Sequence, residues 1–478
     1  MSDRQSLKRI LSGISLSALL LSGTAHAETL EEALTYTYVA NPEILAQRAH
    51  LRSVHETIAQ SRSGYEPTVT GEATYGYAYE RSSASPVFQE KESKPVTLGV
   101  SAVQPIFSGF GTSASVKASK ARFEAELATL KNTEQATLLN AVVAYTDVIR
   151  ALAVLKLNQN NETVLRREYE YTEDRFRVGE LTETDKAQAK ARHAGAVAAR
   201  ITAESDLKIA YAVYRKVIGK LPEKIYEPQV PAAKLPQTLE DALDMAMKNN
   251  PAVLAAEKTA RSAQDSIEVA ESGLYPSLEL RAAYLNMRAG AHGTATVGGV
   301  NIETGRAREE DTTVRLVLDV PFYTAGMTTS KVRETKYTAG KARININAIK
   351  RDIAKTTTQA WENYQATLAS LTSLEEQVKA SARALEGVRY EEQAGERTIL
   401  DVLNAEQELL NARVSVVTAK KNLIDAAYRL IASVGMMTPS GLGLDIARYR
   451  KTEAHSFSPE KEVPPESKDT ETTEEPSA

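Results

Sequence analysis

The chain contains no cysteine. That excludes a disulfide framework and a thiolate metal site. It also excludes a lipid-modified N-terminal cysteine, so any membrane attachment must come from the fold. Beyond residue 27 no stretch has enough unbroken apolar residues for a transmembrane helix. Neither sign of charge dominates. The net charge is -4 at pH 7, which gives no reason to expect nucleic acid as a partner. Histidine is scarce, and His50, His55, His193, His292 and His455 are scattered without a metal-ligand spacing. No G-x-S-x-G and no phosphate-binding glycine loop occurs. The reading is therefore of a protein that is not an enzyme and holds no metal or cofactor.

Glycine and proline are modest in number and gather at 64–67, 105–111, 219–236, 273–276, 321–326 and 435–443. Such clusters mark junctions between long elements.

What is present is a duplication. Thr29-Leu30-Glu31-Glu32-Ala33-Leu34 returns as Thr238-Leu239-Glu240-Asp241-Ala242-Leu243, and Asn41-Pro42 returns as Asn250-Pro251. Ser63-Gly64-Tyr65-Glu66-Pro67 is echoed by Ser272-Gly273-Leu274-Tyr275-Pro276, and Gly179, Thr182 and Asp185 by Gly395, Thr398 and Asp401. A repeat this long is a whole structural half rather than a solenoid unit. The organisation expected is a signal peptide at 1–27, a first structural repeat at 28–237, a second at 238–450 and an acidic disordered tail at 451–478. The signal reading rests on Lys8 and Arg9, an apolar run from Ile10 to Leu21 too short to span a bilayer as a helix, and the A-x-A site Ala25-His26-Ala27. The tail reading rests on Pro464-Pro465 among many Glu, Ser and Thr residues without an apolar period.

Each half holds two kinds of element. One has a period of two. Val69, Ala73, Tyr75, Tyr77 and Tyr79 share a face opposite Thr68, Thr70, Glu72 and Thr74, and Val96, Leu98, Val100 and Ala102 alternate with Thr97, Gly99 and Ser101. Leu278, Leu280, Ala282 and Tyr284, then Val314, Leu316, Leu318 and Val320, repeat the pattern. These are strands at about 66–80, 96–105, 276–285 and 312–321, long enough to cross a bilayer when tilted. The polar stretches 81–94 and 287–311 suit exposed loops. By pattern alone a soluble sheet fits equally well.

The other kind is a long helix. Residues 112–176 and 328–393 are free of proline and rich in helix formers. Leu138, Val142, Tyr145, Ile149 and Leu152 have the spacing of a coiled-coil seam. A second helix follows each of Gly179 and Gly395, so helical hairpins are expected over about 112–218 and 328–434. Ala187, Ala191, Ala194 and Ala198 give the first of these a thin face. Shorter helices open each half, with a boundary at Asn41 and Asn250, because the following proline would break a backbone ladder.

Four bilayer-length strands cannot close a barrel, and an open edge in lipid leaves backbone groups unpaired at several kcal/mol each, by order of magnitude. Either the strands are soluble or several chains pool them.

The element order resembles the TolC family of outer-membrane channel-tunnels. So do Thr29-Leu30-Glu31-Glu32-Ala33-Leu34, Asn41-Pro42 and the run Gly395-Glu396-Arg397-Thr398-Ile399-Leu400-Asp401-Val402-Leu403-Asn404-Ala405. The resemblance implies a mainly α fold with a membrane β part, built as a duplicated helix–β-hairpin–long α-hairpin unit. It implies a homotrimer whose twelve-stranded β-barrel stands on a long α-helical barrel. It implies a site in the Gram-negative cell outer membrane among its lipids, with a periplasmic helical extension. It implies export of drugs, toxic compounds or proteins through a tripartite efflux or type I secretion system. The partners would be a periplasmic adaptor (membrane fusion) protein and an inner-membrane transporter of RND or ABC type. Cargo, drug or protein, follows the transporter and is left open.

At the helix-hairpin tips Thr182-Glu183-Thr184-Asp185 and Thr398-Ile399-Leu400-Asp401 are capping boxes, each three residues after a glycine. By resemblance, Asp401 falls at the pore's selectivity ring and Arg397 at the aperture latch, with Thr184 and Asp185 of a neighbouring helix pair as partners. A carboxylate ring would favour cations. Two positions depart from the family pattern. Asn404 stands where a second acidic ring is expected. Glu392 replaces a latch tyrosine, with an ion pair to Arg397 or repulsion from Asp185 as the alternatives. The rival from another class is a non-conducting coiled-coil structural protein of the envelope, which leaves the paired strands unexplained.

Overall fold

The computed structural model describes residues 28–446, apart from 85–86, 223, 298–299 and 304–306. The expected signal peptide at 1–27 and the acidic tail at 451–478 lie outside the described residues. The first half runs α1 (Leu30–Ala40), α2 (Pro42–Arg62), β1 (Thr68–Tyr75), β2 (Ala78–Ala84), β3 (Val87–Ser108), α3 (Gly111–Arg177) and α4 (Glu183–Ile218). The second runs α5 (Leu239–Asn249), α6 (Pro251–Glu271), β4 (Ser277–Val297), β5 (Val300–Glu303), β6 (Ala307–Asp319), α7 (Met327–Gln393) and α8 (Ile399–Ser433), followed by the single turn α9 (Pro439–Leu442). The two long helices have 67 residues each, which at helical rise is roughly 100 Å.

The Asn-Pro motifs do more than end a helix. Asn41 Oδ1 accepts from the N–H of Glu43, capping α2, while its Nδ2 donates to the carbonyl of Val217 at the end of α4, 2.7 Å away. Asn250 repeats this, accepting from Ala252 and donating to the Ser433 carbonyl at 3.0 Å. One amide thus joins the start of one helix to the end of another. Proline at the first helical position forfeits only an N–H that had no partner anyway. The α2/α4 and α6/α8 pairs become two quasi-continuous columns, the first flanking α3 and the second lying between α3 and α7.

The core sits as a belt at these splices. Leu30 and Leu34 of α1, Leu138, Val142, Tyr145 and Val148 of α3, Tyr214 and Ile218 of α4, and Ile431 of α8 form one buried cluster. Each such aliphatic side chain contributes on the order of 1.5–3 kcal/mol by leaving water. One stretch of α3 is, by length and composition, apolar enough to cross a membrane, contrary to the sequence reading. Its apolar residues supply this belt instead. Tyr145 donates to the carbonyls of Glu28 and Tyr226 at 2.9 and 2.8 Å, and burial pushes its phenol well above the ordinary range. Trp361, its repeat counterpart, packs with Ala242 of α5 and Leu430 and Val434 of α8.

All strands form one antiparallel sheet. At its helical end the order is β1-β3-β4-β6, with β1 and β6 at the edges. Register gathers the apolar residues on one face: Val69 opposite Ala102, Ala73 opposite Leu98, Ala102 opposite Ala282, and Leu280 opposite Leu316. That face is bare: Val69 is 67% exposed, Val314 68% and Leu316 64%. No second layer covers it among the described residues, which a soluble sheet would require. Where the structure describes them, the stretches read as loops continue instead as strand, β3 pairing with β4 from Val87 to Ser108. Backbone ladders do not need apolar side chains, so the hairpins extend past the apolar band.

The alanine face of α4 also differs from expectation. Ala187, Ala191, Ala194 and Ala198 are exposed. The buried set is Ala189, Ala196, Ala203 and Ala210, seven residues apart, on the face that meets α3.

Candidate functional site at the helical tip

Both hairpins turn the same way. Gly179 and Gly395 have φ of 84° and 79°, left-handed values that glycine adopts without steric cost. Three residues later each new helix starts with a complete capping box. Asp185 Oδ2 accepts from Thr182 N and Oγ1 at 3.0 and 2.6 Å. Asp401 Oδ2 accepts from Thr398 N and Oγ1 at 3.0 and 2.7 Å. The bonds from Thr182, hydroxyl first, hold the Asp185 carboxyl below its ordinary value. The bonds from Thr398, backbone first, do the same for Asp401, with a smaller contribution from the Arg397 charge. Both stay ionised at neutral pH, as a carboxylate ring requires. Thr184 is exposed in the first turn of α4.

The charged residues pair in a way the sequence reading did not foresee. Glu392 accepts from Arg175 Nη1 at 2.8 Å, linking α7 to α3, and Arg175 also donates to Glu180 at 3.1 Å. Arg397 Nε donates to Glu391 at 2.9 Å, closing the second hairpin on itself. Neither Thr184 nor Asp185 of the same chain receives it. Asn404 Oδ1 accepts from Arg192 of α4 at 2.8 Å. Arg389 and Glu406 join α7 to α8. Within this group lies Glu168 of α3. Burial raises its pKa first, then Glu392 and Glu406, against the opposing charges of Arg389 and Arg175.

Beneath the charges is an apolar contact. Ile399 and Leu403 on α8 pack on Leu165 of α3 and Ala196 of α4. On its other side α8 sets Val402 and Leu409 against Leu385 of α7. The first turns of α8 therefore bind both hairpins, and the polar links sit at the rim of that contact. This arrangement can hold or release a gap between two rods. It offers no nucleophile–base pair. Among the described residues, no group of three or more His, Asp or Glu is placed to hold a metal. His55 meets Phe123 edge-on and His193 stacks on Tyr169.

A family model described as Outer membrane efflux protein matches residues 37–220 and 242–436. The chain is 32% identical over 442 residues to the outer membrane efflux protein BepC of Brucella suis, covering 91% of this chain and 93% of that one. It is 27% identical over 414 residues to the outer membrane protein TolC of Escherichia coli, covering 84% and 82%. Among solved structures, the Campylobacter jejuni CmeC outer membrane channel superposes with a TM-score of 0.73 at 15% identity, covering 90% of each chain.

Proposed function

Since the chain belongs to the outer membrane efflux protein family and is an outer-membrane export channel, we propose that it works as a homotrimer. Three copies pool their strands into one closed barrel, and the helices form a tunnel below. The observation that carries this is the sheet. Its β1 and β6 edges have no strand partner among the described residues, and its apolar face at the helical end is bare. In lipid such edges are tolerable only if each meets the edge of a neighbour.

In this reading the tips gather around one axis at the periplasmic end. Asp401, presented three times, forms the selectivity ring, with Asn404 one turn above it carrying no charge. Arg175–Glu392 and Arg192–Asn404 hold each chain's own hairpins together. Arg397, on leaving Glu391, reaches Thr184 and Asp185 of the next subunit. Opening breaks these links and swings the second hairpin outward. A periplasmic adaptor and an inner-membrane transporter of RND or ABC type drive that step and select the cargo. Drug efflux is favoured over protein secretion as the cargo class by the greater likeness to BepC, named an efflux protein, than to AprF of Pseudomonas aeruginosa, named an alkaline protease secretion protein, at 32% against 22% identity.

The test is the purified protein in detergent. A trimer that conducts ions in a planar bilayer is the expected result. A monomer that is freely water-soluble and does not conduct would overturn the reading.

A further inference from the structure

A cavity of about 390 Å³ lies where α6 and α8 are spliced, between α3 and α7. Asn250 and Ser433, the splice residues, are part of its wall. The α8 residues that line it are Ala426, Arg429, Ala432 and Ser433. Arg429 lies across the helix from Ile424 and Ile431, which pack in the α1 belt. Arg429 is exposed and is thus presented on the face turned away from the α1 belt. On the trimeric channel reading proposed above, that face looks into the tunnel.

The wall has an unbalanced chemistry. Arg429 is its one charged residue, and no aspartate or glutamate lines it. Arg429 makes no ion pair among the described residues. Gln135 also lines the cavity; it is only 5% exposed, and its amide nitrogen has no hydrogen-bond partner. A buried amide left unpaired costs about 1–3 kcal/mol, so the chain keeps a donor here that nothing among the described residues uses. Asn132, Gln359 and Asn363 add further amides, and Leu139 with several alanines supplies an apolar floor. The volume is at the small end for a small-molecule site and too small for a folded polypeptide.

We propose that this niche binds the carboxylate of a small aromatic acid travelling along the tunnel. The planar guanidinium of Arg429 pairs with the two carboxylate oxygens, the geometry for which arginine is best suited. The amides around it donate to the same oxygens, and the ring rests on the leucine and alanine floor. An anion that has passed the Asp401 ring would pause here, once per chain.

Equilibrium dialysis of salicylate against the detergent-purified full-length trimer tests this, with salicylamide as the uncharged control. The expected result is saturable binding of one salicylate per chain and binding of salicylamide weaker by roughly tenfold or more, the range for losing a charged hydrogen bond. Arg429→Gln should weaken salicylate by a similar factor, and Arg429→Lys by less. Arg429 is exposed, so its replacement spares the core. Gln135→Leu keeps the space filled and should weaken salicylate several-fold. Non-saturable uptake, equal binding of the two probes, or an Arg429→Gln protein that binds as wild type overturns the niche. Conductance of the same preparation is recorded separately. Its absence counts against the channel reading, whereas absence of binding counts against the niche whether or not the protein conducts.

Discussion

Arg175 and Glu392 face each other across the two helical hairpins at 2.8 Å, with side chains 26% and 12% exposed. The pair is the shortest charged link between α3 and α7 at the tip. Arg397 and Glu391, six residues apart, lie on one hairpin and cannot by themselves hold two hairpins together. The two arginines therefore have different duties. Loss of Arg175–Glu392 weakens the hold between the two hairpins of a chain, leaving Arg192–Asn404 and the apolar contact of Ile399 and Leu403. Loss of Arg397 matters only if it engages the next subunit. Glu392→Gln and Arg175→Ser should each raise the conductance of the isolated trimer in planar bilayers. Arg397→Ser should raise it further when combined with either. If Arg397→Ser alone and in combination leaves conductance unchanged, the link to Thr184 and Asp185 of a neighbour is absent.

Asp401 carries two functions at one carboxylate, a helix cap and a fixed negative charge. Asp401→Ala removes both. Asp401→Asn keeps a side-chain oxygen able to accept from the Thr398 N–H and removes the charge. Both variants should lose cation preference and become less sensitive to block by multivalent cations in bilayer recordings. Only Asp401→Ala should speed amide exchange in the first turn of α8. Unchanged selectivity in both variants would place Asp401 outside the pore.

Acidification should act on the tip in two stages of opposite sign. The cluster around Glu168 sets three carboxylates, Glu168, Glu392 and Glu406, against Arg175 and Arg389. Glu168 has its pKa raised above the ordinary 4.5, so the folded tip takes up the proton before the unfolded chain does. Between the raised value and 4.5 the folded state therefore gains stability as pH falls, and the charges become balanced. Asp185 and Asp401 are held below their ordinary 3.8. Their stabilisation is present above 3.8 and is lost as pH falls through the lowered values. Amide exchange at the tip, corrected for its intrinsic pH dependence, should slow on mild acidification and quicken in strong acid. Glu168→Gln should abolish the first stage and keep the second. Monotonic quickening in wild type would refute the assignment.

Much of this architecture is written in the chain as period. Strict alternation and unbroken helix-forming runs gave the strands and long helices, because each reports one buried or apolar face. Most of the misplaced features are those in which period carries no information. Residues 81–84 and 87–94 are polar, yet the ladder continues through them, since backbone groups pair regardless of side chain. By contrast, 287–297 keeps an alternation of Met287, Ala289, Ala291, Ala295 and Val297 with Arg288, His292, Thr294 and Thr296 that the loop reading passed over. Helix α4 has so many alanines that two stripes fit it, and only the longer set, Ala189 to Ala210, is buried. A comparison of the two copies shows what single motifs conceal. Glu173, Arg175, Lys190 and Arg192 correspond, about 216 residues on, to Arg389, Glu391, Glu406 and Glu408. Each position reverses sign between copies. Two packed hairpins that began alike acquire complementary faces in this way, although Glu392 itself stands opposite the uncharged Phe176 in the repeat, so its link to Arg175 is not part of that pattern.

The asparagine splices offer the most direct test of how the columns are held. Asn41 is 7% exposed and does two jobs. Its oxygen caps α2 and its nitrogen satisfies the Val217 carbonyl. Asn41→Ala loses both. A lost cap costs about 1 kcal/mol, and an orphaned buried carbonyl about 1–3 kcal/mol. The variant should thus show amide exchange at the α2/α4 junction faster by roughly 30-fold or more, 1.4 kcal/mol being a factor of about ten. Asn41→Asp retains the capping oxygen, and as a charge at a helix N-terminus it caps well. It still cannot donate to Val217, and it sets a carboxylate against a carbonyl. If the splice matters, Asn41→Asp must resemble Asn41→Ala at the end of α4 and wild type at the start of α2. Uniform recovery at both ends would mean that the cap alone carries the motif, and that the column is held by the surrounding belt.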